Sequence, residues 1–249
     1  DEGKKIKDFC LKILEQRFGI SEADLDSSEL YFVPAGRASH MGLDSSMILG
    51  YGHDDRVCAY PALSAQLSLS KAGKVPDHTA VCLLMDKEEI GSTGPSGADS
   101  RFFESSIRKF LKVCGISDYV AQSIIIEKTK FLSADVTNAY EPLYAAAFER
   151  KATAELGTGI SISPYSGGRG KSGGHQGRSE FIAYLRNILD NINVEYTFSA
   201  VGKVDVGGGG TIAKYFSHLC IDTIDVGVPG LSMHAPWEVI SKADLYETY

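Results

Sequence analysis

Residues 79–85, TAVCLLM, followed by Asp86, Lys87 and the adjacent pair Glu88 and Glu89, constrain this chain more than any other segment. An unbroken apolar run of that length suits a strand covered on both faces, and therefore a sheet with helices packed on either side. Two neighbouring carboxylates at the end of such a strand repel each other and call for a counter-charge. A divalent metal supplies one: the first carboxylate binds the ion and the second handles a proton of the activated water. The plainer reading of the pair is a solvated acidic turn.

Three further segments share this shape. Asp54 and Asp55 lie in YGHDDR at 51–56, Asp135 ends FLSAD at 131–135, and His234 sits in LSMHAP at 231–236. Each has an ordinary alternative. Carboxylates at a helix start are stabilised by about 0.3–1 kcal/mol, an aspartate caps turns, and a single histidine is commonly structural. Together, acids and a histidine recurring beside apolar segments read as a dispersed two-metal site.

The rest of the chain alternates between strand and helix periods. Residues 4–18 carry Ile6, Phe9, Cys10, Ile13 and Leu14 at three- and four-residue steps, with Gly19 placed to end the helix. Residues 30–33 read as a short strand closed by Pro34. A helix is expected over 55–69, bent or ended early by Pro61, and others over 98–113, 176–192 and 211–219. Strands are expected over 79–85, 131–134, 159–162, 194–200 and 221–226. The alternation implies an α/β domain with a parallel or mixed sheet, in which ligands bind beyond the carboxyl ends of strands. Glu88, Glu89, Asp135 and His234 are all expected there. Four consecutive glycines, Gly207, Gly208, Gly209 and Gly210, allow close backbone approach to a ligand. The SGGRGKSGG stretch at 166–174 lacks the spacing of a phosphate-binding loop.

Bulk properties exclude several partners. A net charge of -7 over 249 residues argues against nucleic acid or an anionic membrane as the main partner. No apolar run approaches the roughly 20 residues needed to span a bilayer, and the opening residues carry no signal-peptide pattern. The five cysteines are scattered without CxxC spacing, which excludes a zinc ribbon and reads as reduced, buried thiols in a cytoplasmic protein.

Five motifs in order, between residues 51 and 236, carry a resemblance. YGHDDRVCAY at 51–60, DKEEIGS at 86–92, SADVTNA at 133–139, GGGTI at 208–212 and LSMHAP at 231–236 resemble the motifs of the aspartyl aminopeptidase family of two-zinc exopeptidases. The resemblance implies a three-layer α/β sandwich of the zinc-exopeptidase type, with a mixed, largely parallel central sheet. Residues 1–49 resemble the closing part of that family's inserted oligomerisation domain, and residues 50–249 its catalytic domain. A further histidine ligand of the family has no counterpart here, and the portion carrying it is expected upstream of Asp1.

Carried over by motif, Asp54 bridges two Zn2+ ions, with Co2+ or Mn2+ as alternatives. Glu89 and His234 bind one ion, Asp135 binds the other, and Glu88 is the general base. Asp86 is expected to hold a ligating imidazole. The backbone at Gly209 and Gly210 is expected to assist the oxyanion, while Arg169 and Lys171 are the cations best placed to read an acidic first residue. The implied activity is a cytoplasmic, homo-oligomeric metalloaminopeptidase acting on the amino end of peptides. Two alternatives stand beside it: a metal-dependent deacylase or dipeptidase of N-acyl amino acids, and an inactive assembly subunit.

Overall fold

A computed structural model describes residues 2–73, 75–169, 172–203 and 205–249. These fall into two compact units, 1–35 and 36–249.

In the first unit, α1 (Glu2–Phe18) and α2 (Glu22–Leu25) bury no residue. Gly19 closes α1 in a left-handed conformation, its N–H donating to the Glu15 carbonyl at 2.9 Å. Ser21 opens α2 with a reciprocal capping box to Asp24. The strand expected over 30–33 does not form. A strand needs a partner strand for its backbone groups, and among the described residues no strand pairs with this segment; the Phe32 side chain is fully exposed.

The second unit is built on two principal sheets. One places β1 (Ser39–Met41), β2 (Met47–Gly50), β4 (Thr137–Asn138), β10 (Pro229–Leu231) and β11 (Glu238–Ser241) in the order β1-β2-β11-β10-β4. The other contains β3 (Lys130–Ala134), β5 (Ile160–Ser163), β8 (Tyr196–Phe198) and β9 (Asp222–Gly227), in the order β3-β9-β5-β8. Within it the β3–β9 and β5–β8 pairs are parallel and β5–β9 is antiparallel, which agrees with the expected mixed, largely parallel arrangement.

The faces of this second sheet differ by strand alternation. Ile160, Ile162 and Ile224 pack against Phe181, Leu185 and Leu189 of α6 (Ser179–Asn191), forming one core. Burial of such side chains contributes about 1.5–3 kcal/mol each. On the opposite face, Phe131 stacks on Phe216 of α7 (Ala213–Ser217), with ring centroids 3.9 Å apart. Phe103 of α4 (Phe102–Val113) and Ile126 of α5 (Tyr119–Glu127) join that cluster. Helices on both faces of the sheet complete the three layers of an α/β sandwich. A third core joins Val57 and Cys58 of α3 (His53–Lys71) to Val136, Val228 and Ile240.

Several expectations are corrected. Residues 79–85 form no strand; Leu83 packs against the Phe216 cluster, but Val81 and Leu84 are exposed and no neighbouring strand pairs with the run. The carboxylate pair therefore sits on a tight Glu88–Ile90 turn rather than after a strand. Helix α3 continues through Pro61, which is buried; its irregular backbone lies instead at Asp54 and Asp55. Proline fixes a helical φ and removes one backbone donor, and helix is assigned on both sides of it. Of the cysteines only Cys58 is buried; Cys10, Cys114 and Cys220 are exposed, though all five are free. The glycine-rich stretch folds into a hairpin, β6 (Tyr165–Gly168) with β7 (Ser172–Gln176). Helix α8 (Lys242–Thr248) closes the chain. No helix among the described residues is long and apolar enough to cross a membrane.

Candidate metal centre

The site forms where the two sheets meet. Strands β3 and β9 leave their sheet side by side and enter the other as β4 and β10, with Asp135 and Gly227 at the crossing. The Asp135 N–H donates to the Val226 carbonyl and the Thr137 N–H to that of Val228, both at 3.0 Å. The crossing is tight enough to need glycine: a Cβ at Gly227 would lie 1.6 Å from the Asp135 carbonyl oxygen. Asp135 is thus delivered by a ladder, not a loop, and its Oδ1 accepts from the Val136 N–H at 2.8 Å.

Asp54 and Asp55 arrive from the other direction. The chain leaves β2 at Gly50, turns through Gly52 at φ +69° and presents both aspartates, joined by a cis peptide, ahead of the regular part of α3. His53 points away from this cluster, its Nε2 lying 3.2 Å from the Ile48 carbonyl. His234 comes from the β10–β11 turn in a left-handed conformation, φ +64°. The Glu88–Ile90 turn is pinned by Tyr215, whose hydroxyl donates to the Gly91 carbonyl at 2.9 Å.

These segments converge on Asp54. Its Oδ2 lies 2.7 Å from His234 Nε2, which is also 3.0 Å from Glu89 Oε1. Asp54, Glu89 and His234 form one group whose ligand atoms lie within 4.8 Å of one another; Asp54, Asp55 and Asp135 form a second. Asp54 is common to both, the position a bridging carboxylate occupies. The Asp54 side chain is 6% exposed, whereas those of Glu89 and His234 are 62% and 58% exposed, so the cluster runs from a buried floor to an open mouth.

The electrostatics expose a deficit of positive charge. Burial raises the Asp54 carboxyl above its usual range, as does the charge of Glu89, against the pull of His234. Burial pushes Asp55 up to about 7, and raises Asp135 well above normal with help from Asp55 and Asp54. Glu88 is raised by burial, then by Glu89 and Asp54. Burial is the largest influence on His234 and lowers it, but Glu89 and Asp54 together leave it above its ordinary value. Asp55 Oδ1 is buried without a hydrogen-bond partner. Oxygen donors around one imidazole, desolvated and short of positive charge, fit a divalent cation such as zinc.

The glycine run lies along β6: the Gly167 N–H donates to the Gly209 carbonyl at 2.8 Å and the Arg169 N–H to that of Gly207 at 2.9 Å. A Cβ at Gly208 would meet the Gly167 oxygen at 2.4 Å, while at Gly209 it would meet open space. Arg169 is exposed at the hairpin turn; Lys171 lies outside the described residues. Asp86 accepts from Ser96 Oγ and the Lys87 N–H, at 2.9 and 2.8 Å.

Three buried carboxylates escaped the sequence reading; one, Asp244, accepts from the Gly157 and Gly159 N–H groups, both at 2.8 Å. Asp225 accepts from Thr211 Oγ1 at 2.6 Å and anchors the end of the glycine run. Glu238 accepts from backbone N–H groups of His53, Asp54 and His234. The signal for Asp225 and Glu238 was an acid next to apolar strand residues, in IDTIDVG at 221–227 and at the start of EVIS at 238–241.

Comparison with known proteins places this geometry. The family model described as aminopeptidase I zinc metalloprotease (M18) matches residues 1–249. The chain is 44% identical over 248 residues to a probable M18 family aminopeptidase 1 of Clostridium acetobutylicum, covering 100% of this chain and 52% of the relative. It is 41% identical over 251 residues to a protein of the same description from Thermotoga maritima, covering 100% and 54%. The crystal structure of an M18 family aminopeptidase from Thermotoga maritima matches with a TM-score of 0.89 at 42% identity, covering 96% of this chain and 52% of that one. Aminopeptidase I from Clostridium acetobutylicum matches with a TM-score of 0.83 at 43% identity, covering 96% and 50%. The chain spans about half the length of the curated relatives it matches.

Proposed function

The chain belongs to the aminopeptidase I zinc metalloprotease (M18) family, and from that premise we propose that it is the catalytic part of a metalloaminopeptidase that hydrolyses peptides from the amino end. The observation that carries this reading is the convergence on Asp54: His234 and Glu89 on its open side, Asp55 and Asp135 on its buried side. Asp54, Glu89, Asp135 and His234 would hold two zinc ions, Co2+ and Mn2+ being the alternatives, with Asp54 shared between them. Zinc bound there supplies Lewis acidity, polarising a peptide carbonyl and acidifying water.

The chain's own residues do the rest. Glu88, half-buried beside Glu89, takes a proton from the attacking water on its carboxylate and returns it to the departing amine. Asp55, partly buried beside Asp54 and Asp135, supports the ligand floor. The backbone around Gly209 and Gly210, held against β6 and open at Gly209, faces the carbonyl oxygen in the tetrahedral state. Arg169, and Lys171 beyond it in sequence, supply positive charge for an acidic first side chain. The free α-amine of the substrate meets the exposed carboxylate end of the site, at Glu89.

Residues 1–49 belong in this proposal to the inserted oligomerisation domain, and the full-length protein works as a cytoplasmic homo-oligomer. The support is the exposed apolar surface of the first unit, where Ile6, Phe9 and Phe32 face outward.

The test is made on the full-length protein. Zinc content is measured alongside hydrolysis of a dipeptide with a free amine and of the same dipeptide N-acetylated. About two zinc ions per chain, with turnover of the free-amine substrate alone, is expected. Preference for the blocked substrate would instead indicate a deacylase, and absence of both zinc and turnover an inactive assembly subunit.

A further inference from the structure

Glu238 is a carboxylate where the strand pattern calls for an apolar residue. It opens β11, opposite Gly50 of β2, and is 3% exposed. A buried carboxylate is retained only where its oxygens are satisfied. Here the partners are all backbone donors from two distant turns. Oε2 accepts from the His53 N–H and, at 3.2 Å, from the Asp54 N–H; Oε1 accepts from the His234 N–H at 2.8 Å.

Both turns need holding. His234 is left-handed at φ +64°, as is Ser232 at φ +57°, conformations that a non-glycine side chain enters at a cost of about 1 kcal/mol or more. That turn is also steadied by the Ala235 N–H donating to the Ser232 carbonyl at 2.9 Å and the Ser232 N–H donating to Glu141 Oε2 at 3.4 Å. On the other side, Gly52 is left-handed and the first residues of α3 are non-helical, so the Asp54 N–H has no place in the regular helix ladder. The shared carboxylate supplies the missing acceptor for each. The two side chains whose backbones it grips, Asp54 and His234, then meet at 2.7 Å across 180 residues of sequence.

We propose that Glu238 is a positioning residue of the metal centre, its single carboxylate clamping the backbones of Asp54 and His234 so that their side chains face one ion. This rests on the reading of Asp54 and His234 as ligands. Both oxygens of Glu238 accept from backbone N–H groups, so it acts through the residues it holds. Replacement by glutamine keeps the volume but turns an acceptor into a donor facing backbone N–H groups, releasing one of the two turns.

The experiment measures the zinc dissociation constant of full-length Glu238→Gln by chelator competition, with the visible absorption of its Co2+-substituted form. Outer partners of metal ligands typically contribute about 10–100-fold to metal affinity. A 10-fold or greater weakening of zinc, with displaced Co2+ bands in a protein whose circular dichroism is unchanged, is the expected result. Lowered thermal stability with wild-type zinc affinity and Co2+ spectrum would mean a purely structural role and overturn the proposal. If the glutamine variant does not fold, Glu238→Asp is read in its place, since it keeps the charge and shortens the reach; wild-type affinity and spectrum there overturn the proposal equally. Asp54→Asn and His234→Ala are run in parallel. Retained zinc in those two variants removes the ligand assignment itself, whereas its loss there with retention in the Glu238 variants removes only the clamp.

Discussion

Glu88 and Glu89 are neighbours in sequence and differ in surroundings. Glu88 is half-buried, whereas Glu89 is exposed and faces His234 at 3.0 Å. A ligand must reach the ion, and a base must be desolvated yet free to exchange a proton, so the two environments suit two roles. Glu88→Gln is therefore expected to lower kcat by about 100-fold or more while zinc content stays near that of the wild type. Steady-state kinetics and metal analysis on one preparation check this, and undiminished turnover would reassign the base. The pair was legible because adjacent acids after an apolar run are unusual. The partition of roles between them came only from the motif resemblance, since solvent exposure is absent from a residue list. Asp55 illustrates the same limit: nothing in DDR distinguishes the two aspartates, yet both join the ligand cluster in space.

Among the elements, the ones that carry the site are the crossings between sheets. Helix α6 and strands β3, β5 and β9 follow from periodicity, because their apolar side chains recur at the steps that burial against one layer demands. Strands β4, β10 and β11 do not: β4 has only two residues, and β10 and β11 are short and carry proline and glycine or an acid. They owe their existence to a neighbour's free hydrogen-bonding groups. The run at 79–85 is the converse case, with strand composition but no paired neighbour. Position 227 shows how an element aims a functional side chain: Gly227 lets β9 pass so close to Asp135 that any side chain collides with its carbonyl. Gly227→Ala is expected to destabilise the fold by about 3 kcal/mol and to reduce zinc content through displacement of Asp135. Urea unfolding and metal analysis measure the two effects, and a variant as stable as wild type would show that the crossing has slack.

For the molecule as a whole, the two compact units differ in how they satisfy apolar surface. The unit at 36–249 has three buried clusters. The unit at 1–35 buries nothing in either helix and exposes Ile6, Phe9, Phe18, Leu30, Tyr31 and Phe32. Apolar surface of that kind is stable in water when another surface covers it. If the proposed homo-oligomer uses it, Phe9→Glu with Phe32→Glu reduces the assembly to smaller species. Native mass spectrometry of the full-length protein would report this as a shift of most of the material to lower subunit number. An unchanged assembly would place the contacts elsewhere.

Sequence alone determined the α/β class, the main helices, and the acids and histidine that cluster, because burial and charge repulsion leave periodic and local traces. Which carboxylates meet, which one grips the backbone instead of an ion, and where the chain crosses between sheets depended on contacts between residues far apart in the chain. Glu238 accepts from the backbones of both Asp54 and His234; His234 lies four residues before it, but Asp54 is 184 residues away and no local rule relates it to the other two. A desolvated charge is tolerated only by the partners that folding supplies, and those partners are chosen in three dimensions.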